Sequence, residues 1–125
     1  MLTNQTVIPI YTTRGDLGAL MCYPYIYNPV GEWIGWVTPD RQVYSVRGAY
    51  IGWLSNDPRI LRKRSGDLEK PSRTPPPAPA SIVPPASVPL APLMPELTYG
   101  TLDVLDEDPE LLPAAGFGIL NEDMG

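Results

Sequence analysis

Tyr-x-x-x-Gly-x-x-x-Gly-Trp occurs twice in the chain, as Tyr27, Gly31, Gly35, Trp36 and again as Tyr44, Gly48, Gly52, Trp53. An imperfect copy precedes them in Tyr11, Gly15, Ala19 and Leu20, and a worn fourth copy follows, with Arg62 and Gly66 at the Tyr and first Gly positions. The first glycines, Gly15, Gly31, Gly48 and Gly66, are 16, 17 and 18 residues apart. A fixed period of this kind means one supersecondary unit copied and stacked, because a single unit cannot bury its own apolar face.

The period is short enough that each unit is a β-hairpin. In the third copy Gln42 to Val46 read as one strand, Arg47 and Gly48 as the turn, and Ala49 to Leu54 as the return strand. Glycine recurs at the turn because it reaches positive φ without a Cβ penalty. Thr38 to Arg41 and Ser55 to Pro58 are turn clusters between hairpins. The expected fold is all-β, a meander of about four hairpins and eight short strands from about residue 7 to about residue 70.

Strict alternation along the return strands puts Leu17, Ala19 and Met21, then Trp33, Gly35 and Val37, then Tyr50, Gly52 and Leu54 on one face. Leu20, then Ile34 and Trp36, then Ile51 and Trp53 fall on the other. Both faces are apolar, whereas a half-exposed antiparallel strand alternates apolar with polar. Either something covers the outside of the sheet or the outside is itself a binding surface. The small residues Ala19, Gly35 and Gly52 imply a close approach, near a symmetry axis or under a flat aromatic ring.

From Pro71 the composition changes. Ten of the 25 residues from Pro71 to Pro95 are proline, which favours extended polyproline II. Residues 71–95 are read as a disordered linker, or as a docking segment for an aromatic-lined groove. Residues 96–125 carry eight acids and no Lys or Arg, with leucines threaded between them, and are read as a disordered tail able to fold on a partner. Residues 1–70 then form the folded domain. At that size it buries only about 60% of its unfolded surface, so aromatic-rich packing matters.

Residues 1–70 hold eight Lys and Arg against six Asp and Glu, while the whole chain carries a net charge of −5. A basic edge of Arg59, Arg62, Lys63 and Arg64 is expected, able to attract the acidic tail or anionic lipid headgroups, or to serve as a charged, solvated edge strand. Nucleic acid is not an expected partner of so weakly basic a domain. No stretch approaches the ~20 apolar residues of a membrane span, and neither a signal peptide nor an internal disulfide is expected, Cys22 being the lone cysteine. A cytoplasmic location is the expectation.

Catalysis has little to stand on. The chain has no histidine, and Cys22 lacks a base to activate it, so no enzyme and no cofactor are expected. Asp16, Glu32 and Asp67 follow turn glycines and could ring one rim, but Ala49 breaks that ring, and such acids are ordinary turn chemistry.

The repeated hairpin, Tyr44-Ser-Val-Arg-Gly48-Ala-Tyr-Ile-Gly52-Trp53, followed by a proline-rich stretch, resembles the bacterial four-fold β-flower proteins over about residues 7 to 70. The resemblance implies four hairpin petals in a shallow β-barrel with pseudo-fourfold symmetry, and brings no catalytic residues. The expected function is a non-enzymatic binding or protein-interaction module, with self-association among the options. The alternative is a barrel holding a lipid or other apolar ligand in an aromatic cavity. Tyr27, Trp33, Trp36, Tyr44, Tyr50 and Trp53 are the expected contact residues in either case.

Overall fold

The fold was analysed in a computed structural model that describes residues 6–65 and 70–115. Gly66 and Asp67, the turn of the fourth copy, lie outside the described residues.

The first three repeats reverse the chain in one way. The backbone N–H groups of Thr12, Asn28 and Ser45 donate to the carbonyls of Asp16, Glu32 and Ala49 at 2.8, 2.8 and 2.9 Å. Gly15, Gly31 and Gly48 donate back to Thr12, Asn28 and Ser45, each at 2.9 Å, with φ of 92°, 95° and 92°. The side-chain oxygens of Thr12, Asn28 and Ser45 accept the N–H of Asp16, Glu32 and Ala49. Each loop is therefore a type I turn closed by a left-handed glycine, of three residues rather than the two expected at Arg47 and Gly48.

Seven strands result: β1 (Ile8–Tyr11), β2 (Leu17–Cys22), β3 (Tyr25–Tyr27), β4 (Trp33–Val37), β5 (Gln42–Ser45), β6 (Tyr50–Leu54) and β7 (Ile60–Lys63). The eighth, β8 (Thr101–Asp103), comes from the acidic segment, which corrects the expectation of a disordered tail for that stretch. The sequence of the fourth copy lacks the Gly-Trp of the second and third copies, and the edge of β7 pairs with β8, Arg62 opposite Leu102. The eight antiparallel strands form one curled half-barrel sheet in chain order.

Each hairpin carries a bulge after Ile10, Ile26 and Val43, so Gly18, Ile34 and Ile51 are extra residues in the return strands. A bulge rotates the residues beyond it to the other face. The faces expected from strict alternation are corrected accordingly: Trp33 and Trp36 share one side, and Ile34 and Val37 the other. The sheet is thus aromatic on one face, with Leu20, Tyr27, Trp33, Trp36 and Tyr44, and aliphatic on the opposite one. Aliphatic residues from β1 through β8 pack into a single cluster, which strands so far apart achieve only on the concave side of a curled sheet. Gly35 and Gly52 stand directly after the extra residues. A Cβ on Gly35 would press on the Tyr44 carbonyl and the Leu112 side chain, and one on Gly52 would overlap the Leu61 carbonyl. The close approach expected of these glycines is therefore to the backbone of the neighbouring strand.

After β8 come α1 (Val104–Glu107) and a 3-10 turn at Pro109–Leu111. They bring Leu102, Val104 and Leu112 into the aliphatic core, with Leu105, Leu111 and Ala114 packed around them. Side chains join the first and last strands. Asp103, 1% exposed, accepts from the backbone N–H and the hydroxyl of Thr13, both at 2.7 Å. Arg59, 2% exposed, donates to the Thr13 hydroxyl, to both Asp57 oxygens and to the Pro95 carbonyl. Burial alone would raise the Asp57 carboxyl, but hydrogen bonds from Arg59 and Ser55 and the Arg59 charge together hold it below the usual carboxylate range.

Fully burying a Leu or Val contributes roughly 1.5–3 kcal/mol. Leu102, Val104 and Leu112 together therefore supply an amount comparable with the whole stability of a small domain, about 5–15 kcal/mol. A chain ending at Lys70 also leaves β7 unpaired. Such a chain is expected to lose the cooperative thermal transition of the full chain; a truncated protein that melts like its parent in circular dichroism would contradict this assembly.

Candidate interaction surface

Proline has no N–H and fixed φ, so a segment dense in it can join no central strand and must lie on a surface as an extended helix of three residues per turn. Residues 70–97 do this across the aromatic face, which corrects the expectation of a disordered linker, and their burial has that period. Pro76, Pro79, Ile82, Val88, Ala91, Met94 and Leu97 are half-buried while their neighbours are mostly exposed; Pro85 skips the pattern, and Pro75 and Pro84 add to the covered edge.

This strap meets the hairpin turns in reverse chain order. Arg73 donates its N–H to the Gly48 carbonyl at 2.9 Å, and Ile82 donates its own to the Gly31 carbonyl at 2.9 Å. In both cases the strap residue's carbonyl oxygen occupies the place where a Cβ on the glycine would sit. The turn glycine thus has two functions, positive φ and room for the strap. Ala91 lies against Gly15 more loosely, 4.0 Å from a Cβ placed there. Positions 73, 82 and 91 are nine residues apart, three polyproline turns, so each falls on the same edge of the strap.

Aromatic side chains complete the contact. The hydroxyls of Tyr11 and Tyr25 donate to the carbonyls of Pro89 and Pro77 at 2.5 and 2.8 Å. Trp36 stacks on Tyr44 with centroids 4.8 Å apart, and Tyr50 meets Tyr44 edge-on at 5.6 Å. Arg73 lies over the Tyr44 ring and Lys70 over the Tyr50 ring. Both buried indoles are satisfied by backbone, Trp33 Nε1 donating to the Gly35 carbonyl and Trp36 Nε1 to that of Ser45. Ile82 and Val88 pack onto the same cluster.

Five of the six expected contact residues, Tyr27, Trp33, Trp36, Tyr44 and Tyr50, therefore share one face, where the chain's own strap covers them. Trp53 stands apart, half-buried beside the connections at Asp40–Gln42 and Leu54–Asn56. The expected basic edge does not form a patch. Arg59 is buried, Arg62 donates to the Ile51 carbonyl, Arg64 pairs with Glu107 at 3.2 Å, and Lys63 is exposed. The acidic segment thus docks on its own chain, with Arg14 and Asp106 adding a second ion pair at 3.0 Å. Arg73, Ile82, Tyr11 and Tyr25 escape a reading by composition, because their contacts join segments far apart in the chain.

Between strap and sheet at the second hairpin lies a groove of about 480 Å³, lined by Tyr23, Tyr25, Tyr27, Pro79 and Ile82 and floored by Cys22. Burial pushes the Cys22 thiol up, and burial followed by the proximity of Cys22 and Tyr25 pushes the Tyr27 hydroxyl up, so neither is activated as a nucleophile. Among the described residues no three of His, Cys, Asp and Glu converge on a metal position, and Asp16 and Glu32 are exposed. Among them also, no helix is long and apolar enough to cross a membrane. Compared with protein-family models, curated proteins and solved structures, the chain matches none.

Removing a buried Trp costs about 3–5 kcal/mol. Trp36→Ala is expected to show that loss in chemical denaturation, and Trp53→Ala a smaller one, because Trp53 is less deeply buried and lies off the strap-covered face. Equal losses would mean that the two repeat tryptophans are packed alike and that the strap adds nothing at Trp36.

Proposed function

We propose that the chain is a protein-interaction module without catalytic chemistry, and that its contact element is the outward edge of the Pro-rich strap. One observation carries this reading: Val83, Leu90 and Leu93 are 91%, 94% and 102% exposed on a segment whose opposite edge is fixed to the sheet. An apolar ridge held in extended form has already lost the conformational freedom that binding would otherwise remove, which is the advantage of proline-rich ligands. The alternative of an apolar ligand in an aromatic cavity has less support, because the concave face is packed with aliphatic side chains and the aromatic residues lie on the other side. Membership of the four-fold β-flower proteins is part of the same proposal. Three hairpins of one geometry support it, and β7 with β8 would make the fourth unit.

A photo-reactive residue in place of Leu90, compared with one in place of the exposed Asn56, tests the reading in the native cell. Protein adducts are expected from position 90 and not from position 56. A folded protein that gives no adduct at position 90 would overturn it.

A further inference from the structure

We infer that the partner includes a second copy of this chain, with the Pro89–Pro95 ridge of one copy seated in the Tyr23–Tyr27 groove of the next. The inference rests on the strap being a contact element and names what it contacts. The groove is continuous with the strap's own interface, since Pro79, Ser81 and Ile82 form one of its walls. On that interface the chain already shows how it holds a Pro-rich segment: tyrosine hydroxyls donate to proline carbonyls at Pro77 and Pro89, and aliphatic side chains lie on aromatic rings. The Tyr25 hydroxyl in the groove is already given to Pro77 and Tyr27 is buried, which leaves Tyr23 as the tyrosine open to a second segment. Tyr23 is 58% exposed at its rim, and the space admits side chains the size of leucine and proline.

The ridge supplies the complement. In Pro89-Leu90-Ala91-Pro92-Leu93-Met94-Pro95, Ala91 and Met94 face the sheet, leaving one edge of prolines and one edge of leucines outward. Neither surface contains a charged residue, so the net charge of −5 is not concentrated where the copies would meet. A copy cannot fill its own groove with its own ridge. Pro89 is held by Tyr11 and lies seven residues beyond Ile82, about 22 Å along an extended helix. Ridge and groove are different patches, so two copies that exchange them reciprocally close as a dimer, and copies that make the contact once each extend head-to-tail.

The test uses full-length protein in sedimentation velocity over a concentration series. Leu90→Ser with Leu93→Ser removes the ridge, and Ala80→Arg, at an exposed position in the groove wall, blocks the groove; thermal melts verify that both variants fold. The parent is expected to self-associate, to a dimer or beyond, as concentration rises, equally at roughly 0.05 and 0.5 M salt, because no charge pair is involved. Each variant alone is expected to stay monomeric, and an equimolar mixture to form a 1:1 dimer and nothing larger. A parent that stays monomeric overturns the inference, as does a mixture that fails to pair. A monomeric parent whose position 90 cross-links to a different protein would leave the interaction module standing and remove only the second copy as its partner.

Discussion

Seven short strands wound into a curled sheet leave three things exposed: an aliphatic concave face, an aromatic outer face and an open edge at β7. One continuous segment resolves all three. Residues 70–97 lie over the aromatic face, Thr101–Asp103 pair with the open edge, and Leu102, Val104 and Leu112 enter the concave core. The contacts that fix its path are few, chiefly two backbone hydrogen bonds to turn glycines and two from tyrosine hydroxyls. Each contributes only about 0.5–1.5 kcal/mol net. The path is therefore set by backbone geometry repeated at equal intervals, with apolar burial providing most of the stabilisation.

The interval itself has a physical origin. A hairpin repeat of 16 or 17 residues returns the chain to an equivalent turn one hairpin further on, and the strap covers the same step in nine residues because it is extended. Nine is a multiple of the three residues per polyproline turn, so one edge of the strap meets Gly48, Gly31 and Gly15 in succession without twisting away. A helix in its place would drift out of phase, 3.6 not dividing nine evenly into the same face at every contact. Proline density is thus a structural requirement of the strap as well as a barrier to helix and central strand.

The hairpin repeat, the left-handed glycines and the two apolar faces are all legible in Tyr27–Trp36 and Tyr44–Trp53, because those depend on local chemistry. The bulges are not, since nothing in Ile34-Gly35 announces an extra residue until Tyr27 is seen opposite Trp33. That single-residue insertion exchanges the faces beyond it, which is why alternation misassigns Trp33 and Trp36. The eighth strand is hidden for another reason. Thr101-Leu102-Asp103 is too short and too acidic to read as a strand, and it becomes one only because β7 offers an unpaired edge. Likewise Arg59 reads as a solvated charge until Asp57, Thr13 and the Pro95 carbonyl converge on it from three separate segments. The strap's role was concealed by composition, which describes a spacer, while its three-residue burial pattern describes a ligand.

The central claim is that turn glycines are strap-docking sites, and Gly15 provides its internal control. Gly15 and Gly48 share a φ of 92°, yet a Cβ at Gly48 overlaps the Arg73 carbonyl while one at Gly15 meets only the Ala91 Cβ at 4.0 Å. Chemical denaturation of Gly15→Ala and Gly48→Ala in the full chain measures the difference directly. Gly15→Ala is expected to cost about 1–2 kcal/mol, the strain of a left-handed alanine. Gly48→Ala is expected to cost at least about 1 kcal/mol more, with Trp36 emission shifted to the red as the strap lifts. Equal losses, with unchanged emission in both variants, would mean that the glycines serve the turns alone and that the strap is not held by them.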